Sequence, residues 1–207
     1  MIEETRIQPL NNNHPTKGEY LLYWMQASQR AEYNHALEFA ISQANERKLP
    51  LLVYFGLTDT FPEANERHYY FMLEGLKNAQ QSLQDRDIGM VIERVSPEIG
   101  AVRFAKKASL VVCDRGYLRI QKIWRQYVAE NIECPLLQVE SDVLVPVETA
   151  SGKEEYSAAT LRRKILRILS KYLTPLSAAY IAKTANNPPT TINLSLFLSK
   201  MLISKAK

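Results

Sequence analysis

The stretch "YLLYWMQASQRAEYNHALEFA", residues 20–40, decides the fold. Residues 20–25 are an apolar run of strand length, residues 26–29 are a polar hinge, and from Arg30 onward the spacing of apolar positions becomes helical. A strand that is apolar along its whole length, rather than alternating, is covered on both faces. That is the habit of a parallel sheet built from βαβ units.

Outward from this unit the same rhythm repeats. "PLLVYFGL" at 50–57, "IGMVIERV" at 88–95, "SLVVCD" at 109–114 and "PLLQVES" at 135–141 read as four more strands. Helices are expected between them at 30–46, 62–84, 97–107 and 117–131. In the second of these, Tyr69, Met72, Leu73, Leu76 and Leu83 recur at spacings of three, four and seven, so that face is expected on the sheet. Pro62 reads as a first-turn proline, and Ser96, Pro97 and Glu98 as a cap, a first-turn proline and a dipole-complementing acid. The expectation is a doubly wound α/β domain with a five-stranded parallel sheet over residues 1–150. A basic helical tail follows over 151–207, with one helix at about 156–172. Ligands of such sheets bind outside the carboxyl ends of the strands, where strand order reverses. With the first strand central and Trp24 at its carboxyl end, residues 25–30 and 114–119 flank that crevice.

Composition narrows the class. Hydrophobic residues make up 46% and charged residues 23% of the 207, enough for a packed core and against disorder as the main state. No apolar run is long enough to span a bilayer and the amino terminus has no secretory core, so a cytoplasmic protein without a membrane partner is expected. Cys113 and Cys134 are too few for a disulfide framework and read as core thiols. His14, His35 and His68 form no spaced ligand set, so no metal site is expected. The net charge of +4 hides an asymmetry: residues 158–207 carry nine Lys or Arg and no acid, leaving 17 basic against 22 acidic residues before them. Such a tail reads either as a basic helix docked on an acidic body or as a footprint for nucleic acid or a partner domain.

Several chemistries lack their groups at the strand ends. No Gly-x-Gly-x-x-Gly follows the first strand, and neither a Walker motif nor a Gly-x-Ser-x-Gly elbow exists. What the crevice does hold is flat and polar: Trp24, Gln26, Arg30 and Asn34 after the first strand, Asp59 after the second, and Asp114, Arg115, Tyr117 and Arg119 after the fourth. An aromatic face with amide and guanidinium donors suits a planar heteroaromatic ligand. The same residues also admit a plain reading, with Trp24 in the core, Arg30 paired to Glu32 or Glu63, and Asn34 tying down the hinge.

At these residues the chain resembles a known family. "YWMQASQRAEYNHAL" is similar to the first βα turn of the photolyases and cryptochromes, Trp-Phe-Arg-x-Asp-Leu-Arg-x-x-Asp-Asn-x-Ala-Leu. Trp24, Arg30, Asn34, Ala36 and Leu37 fall on that pattern, while Gln26, Ser28 and Tyr33 depart from it. The Tyr-Trp-Met and Gln-Arg variant resembles the class II cyclobutane pyrimidine dimer photolyases. So do "FGLTDTFPEANERHYYFMLEGL" at 55–76, "DRGYLR" at 114–119, "QVESDVLVPVE" at 138–148 and "EEYSAATLRRKI" at 155–165.

The resemblance implies an amino-terminal domain that hosts an antenna chromophore of deazaflavin type, while FAD and the flipped-out dimer sit in a separate helical domain. No stretch after residue 176 resembles that FAD-binding domain. FAD binding and dimer cleavage are therefore not expected of this chain alone, and a separate or missing FAD-binding helical domain is the expected partner. The apolar positions Leu194, Phe197, Leu198 and Met201 would pair with that domain or with another copy in a homo-oligomer. DNA binding is expected to be weak and nonspecific. The alternative is a stand-alone interaction or ligand-binding module of the nucleotide-binding α/β type.

Overall fold

The computed structural model describes residues 2–184; Leu194, Phe197, Leu198 and Met201 lie outside them. The chain runs through β1 (Ile7–Pro9), β2 (Tyr20–Trp24), α1 (His35–Arg47), β3 (Leu51–Gly56), α2 (Glu66–Gln84) and β4 (Gly89–Glu93). It continues through α3 (Pro97–Ala105), β5 (Ala108–Asp114), α4 (Arg119–Asn131), β6 (Leu136–Val139), α5 (Val147–Ala150) and α6 (Ala158–Tyr172).

The strands form one sheet in the order β1-β6-β5-β2-β3-β4. β2 to β6 are parallel, as the unbroken apolar runs require, and β2 lies between β3 and β5 with Trp24 level with Tyr54 and Cys113. The doubly wound α/β class therefore holds, but the count of five strands does not. A sixth strand, β1, pairs antiparallel to β6 through Ile7 and Val139. Its three residues are too few to show a period, and Pro9 is tolerated only because β1 is an edge strand.

Side chains of β2 and of Met25, which follows it, alternate between two cores. Leu21, Tyr23 and Met25 join Leu37, Ile41, Leu73 and Leu76 beneath α1 and α2. Leu22 and Trp24 face the opposite way, among Ala101, Phe104, Trp124 and Val128 of α3 and α4. Each face is closed by its own helix pair, the arrangement right-handed crossovers enforce.

Helix starts follow side-chain caps more than prolines. α1 begins after Asn34, whose Oδ1 accepts from the Leu37 N–H, and not at Arg30. α2 begins after Asn65, so Pro62 lies in the preceding loop rather than in a first turn. Pro97 does open α3.

Two devices bind the periphery to this body. The buried Arg6 donates to Glu3 and to the carbonyls of Glu140, Val143 and Leu144, and its guanidinium lies 5.5 Å from the centre of the Tyr172 ring. It thereby joins the chain start, the β6–α5 connection and α6, spending its fork of donors. Beyond α6 the chain crosses to α1. There Glu38 accepts from the Ala179 N–H while Arg86 donates to the Ala179 carbonyl, and Asn45 clasps Tyr180 and Ala182 in the same two-sided way.

α6 begins two residues later than expected and docks by its apolar stripe. Leu161, Ile165, Ile168, Leu169 and Tyr172 pack on Val145 and Ala150. Only one of its cations docks on an acid among the described residues. Lys164 pairs with Glu155, whereas Arg162, Arg163, Arg167 and Lys171 stand on the exposed half of the helix without an ion pair among the described residues.

Candidate functional site

Strand order reverses between β2 and β5, and the carboxyl ends of these strands open into a cavity of about 850 Å³. Three walls enclose it. The β2–α1 hinge supplies Gln26, Ala27 and Gln29. The end of β3, its loop and the first turns of α2 supply Phe55, Leu57, Phe61, His68, Tyr69, Phe71 and Met72. The β5–α4 turn supplies Gly116, Tyr117 and Leu118, with Gln121 of α4 and Asp142 beside them. The walls are mostly aromatic and apolar with a few convergent polar groups, the usual make-up of a small-molecule site.

The hinge is held by Asp114 at the end of β5. One carboxylate oxygen accepts the backbone N–H groups of Gln26, Ala27 and Ser28 at 2.8, 2.9 and 3.0 Å, and the other accepts the Tyr23 hydroxyl at 2.7 Å. Burial pushes this carboxyl above its ordinary pKa, and the donated hydrogen bonds oppose that rise. Asn34 completes the tie. Its amide donates to the Tyr23 hydroxyl and to the carbonyls of Ser28 and Arg30. The polar turn therefore keeps one shape although it contains no glycine.

Of the residues singled out from sequence, only Gln26 and Tyr117 line the cavity. The Gln26 Oε1 is buried without a hydrogen-bond partner among the described residues. The Tyr117 hydroxyl donates to the buried Glu140, which leaves the ring to face the cavity. Trp24 is 1% exposed and belongs to the core under α3 and α4, so it offers no aromatic face to a ligand. Asp114 and Asn34 shape the hinge and do not line it.

Arg30 pairs with Asp142 at 3.0 Å and donates to the carbonyls of Tyr33 and Ser141, not to Glu32 or Glu63. Its grip fixes Tyr33 in the left-handed region, φ 46°. Arg115 is spent on Glu148 and Glu140. Asp59 pairs with Arg94 on the surface, and Arg119 is exposed at the start of α4.

The α2 wall escaped the sequence reading, which assigned Tyr69 and Met72 to the sheet face. The run Tyr69, Tyr70, Phe71 and Met72 was the available signal, since four consecutive large apolar residues exceed what one face of a helix can bury on a sheet. Phe71 remains 79% exposed.

A doubly wound α/β domain with an aromatic-walled crevice at its strand-order switch defines the class of protein. Comparison with known sequences gives the family: DNA photolyase matches over residues 21–182, and the chain belongs to that family. It is 52% identical over 177 residues to the deoxyribodipyrimidine photo-lyase of Methanothermobacter thermautotrophicus, covering 85% of this chain and 40% of that protein. It is 32% identical over 162 residues to the corresponding enzyme of Potorous tridactylus, covering 76% of this chain and 30% of that one. The chain thus spans less than half the length of these relatives.

Solved structures share the fold at lower identity. The photolyase of Sulfolobus tokodaii, solved with two FAD molecules and an implied novel light-harvesting cofactor, superposes with a TM-score of 0.68 at 13% identity, over 86% of this chain and 41% of that one. The class III photolyase of Agrobacterium tumefaciens gives a TM-score of 0.61 at 18% identity, over 88% of this chain and 38% of that one. Among the described residues no helix is long and apolar enough to cross a membrane.

Proposed function

We propose that this chain is the antenna-chromophore domain of a class II cyclobutane pyrimidine dimer photolyase, working in the cytoplasm beside a flavin-bearing helical domain. The observation that carries the reading is the 850 Å³ aromatic-walled cavity at the strand-order switch. Its residues fit a tricyclic deazaflavin. Phe55, Phe61 and Tyr117 offer apolar walls to a planar ring, and the orphaned Gln26 Oε1 is an acceptor in want of a ring or side-chain donor. When bound, such a group supplies light absorption and passes excitation to a flavin. The residues of this chain bind and orient it: Asp114 and Asn34 set the hinge, Arg30 and Asp142 hold its outer edge, and Met72 and Leu57 keep water from the ring. Dimer recognition belongs to the partner domain, and DNA contact by this chain is weak and nonspecific.

The test is a fluorescence titration with 8-hydroxy-5-deazariboflavin. Wild type should bind with one-to-one stoichiometry, and Met72→Trp, which fills the cavity, should lower affinity roughly tenfold or more. Arg30→Ala and Asp114→Ala should weaken binding through loss of hinge order. No saturable binding by wild type, or equal affinity in Met72→Trp, would overturn the reading.

A further inference from the structure

Two helices start against the cavity, and both place a polar side chain at their third residue. His68 holds that position in α2. Its Nδ1 accepts the Asn65 N–H at 3.1 Å, while the Asn65 side chain accepts the His68 N–H, so the pair forms a capping box with histidine in the usual Glu or Gln place. Gln121 holds it in α4. Its Oε1 accepts the Leu118 N–H at 3.2 Å, the only half of a box that leucine permits. Gly116 makes room for this fold-back, since a Cβ there would lie 2.2 Å from the Gln121 Oε1.

The caps decide what these side chains can offer a ligand. A backbone N–H can only donate, so the accepting Nδ1 of His68 carries no proton, and the ring's N–H is at Nε2. The Gln121 acceptor is likewise committed, leaving its NH₂. Both residues line the cavity, on two separate walls, so the donors that the caps leave free belong to lining side chains. Glu63 and Asp142 are the acids on the lining, and Asp142 already accepts from Arg30 and the Ser28 hydroxyl.

We infer that the capped His68 and Gln121 form a donor rim that selects planar ligands whose ring edge carries an ionised hydroxyl over rings without that group. This rests on the cavity being the ligand site proposed above. It adds that the helix caps themselves set ligand polarity, so these two residues are specificity determinants.

Titrations with 8-hydroxy-5-deazariboflavin, which carries an ionisable ring hydroxyl, and with riboflavin, which lacks it, test the rim. Wild type should prefer the hydroxylated ring by roughly tenfold or more, as hydrogen bonds to charged acceptors imply. His68→Leu and Gln121→Leu should each lose most of that preference, and His68→Gln should restore it, because glutamine can cap with its oxygen and donate with its nitrogen. His68→Glu keeps the cap without the donor; it should melt like His68→Gln yet bind the hydroxylated ring roughly tenfold more weakly. If wild type binds the hydroxylated probe but Gln121→Leu and His68→Leu retain its affinity and preference, the rim is refuted and the cavity reading stands. If wild type binds neither probe, both fall together.

Discussion

His35, the first residue of α1, is half-buried near Arg6, and its Nδ1 has no partner among the described residues. Burial, with the Arg6 and Arg30 charges adding to it, lowers its pKa from the ordinary 6.5 to about 4. Because the folded value is depressed, the unfolded chain takes up the proton first. The stability this position contributes is complete above about pH 6.5 and is lost as pH falls toward 4. Solvent screening of a half-exposed ring reduces the effect to about 1 kcal/mol between pH 7 and 5.5. Urea unfolding of wild type and His35→Gln at these two pH values should show wild type losing about that much more. Equal losses would assign acid sensitivity elsewhere. The same local chemistry explains why the sequence left Trp24 open between core and ligand face and placed Asp114 among the ligand residues. Trp24 and Asp114 share the strand-end position of ligand residues, but only the direction in which each strand end turns its side chain separates a core ring and a hinge tie from a lining residue.

Elements were legible where the chain must bury apolar length and obscure where a local bond decides. The five parallel strands and their helices follow from runs that only a two-sided sheet can hide. β1 was invisible because Arg6 and its carbonyl partners, not an apolar pattern, fix it in place. α1 and α2 were started early because helical spacing extends back into loops, whereas Asn34 and Asn65 set the true starts. α3 crosses β3 at close range. A Cβ at Gly100 would lie 1.7 Å from the Tyr54 hydroxyl, and that hydroxyl is buried without a partner among the described residues. Gly100→Ala should therefore cost about 2 kcal/mol or more by forcing α3 off the sheet. Tyr54→Phe removes an unsatisfied polar atom and should be neutral or stabilising. The double variant should be more stable than the sum of the two, by about 1 kcal/mol in a double-mutant cycle from denaturant melts. Strict additivity would show that the hydroxyl is not what the new methyl meets.

At the scale of the whole molecule, charge and apolar surface are separated. The crevice opens among aromatic side chains at the strand ends, while α6 turns its apolar stripe inward and its cations outward. Arg162, Arg163, Arg167 and Lys171 fall within one half of the helix, and no described acid neutralises them. A half-helix of free cations attracts phosphates by counterion release, but no exposed aromatic within α6 stands beside them to stack a base. Affinity for duplex DNA should therefore be independent of sequence and of pyrimidine dimers. With about four phosphate contacts, log affinity should fall with log salt at a slope of about −3.6, so binding weakens roughly 100-fold between 50 and 200 mM salt. Replacing Arg162 and Arg163 together by Gln should reduce the slope by about 1.8 without moving the melting temperature, since neither side chain supports the fold. Filter binding across that salt range checks both numbers. A slope that survives the double replacement, or a preference for dimer-containing DNA, would place the nucleic-acid surface on another face of the molecule.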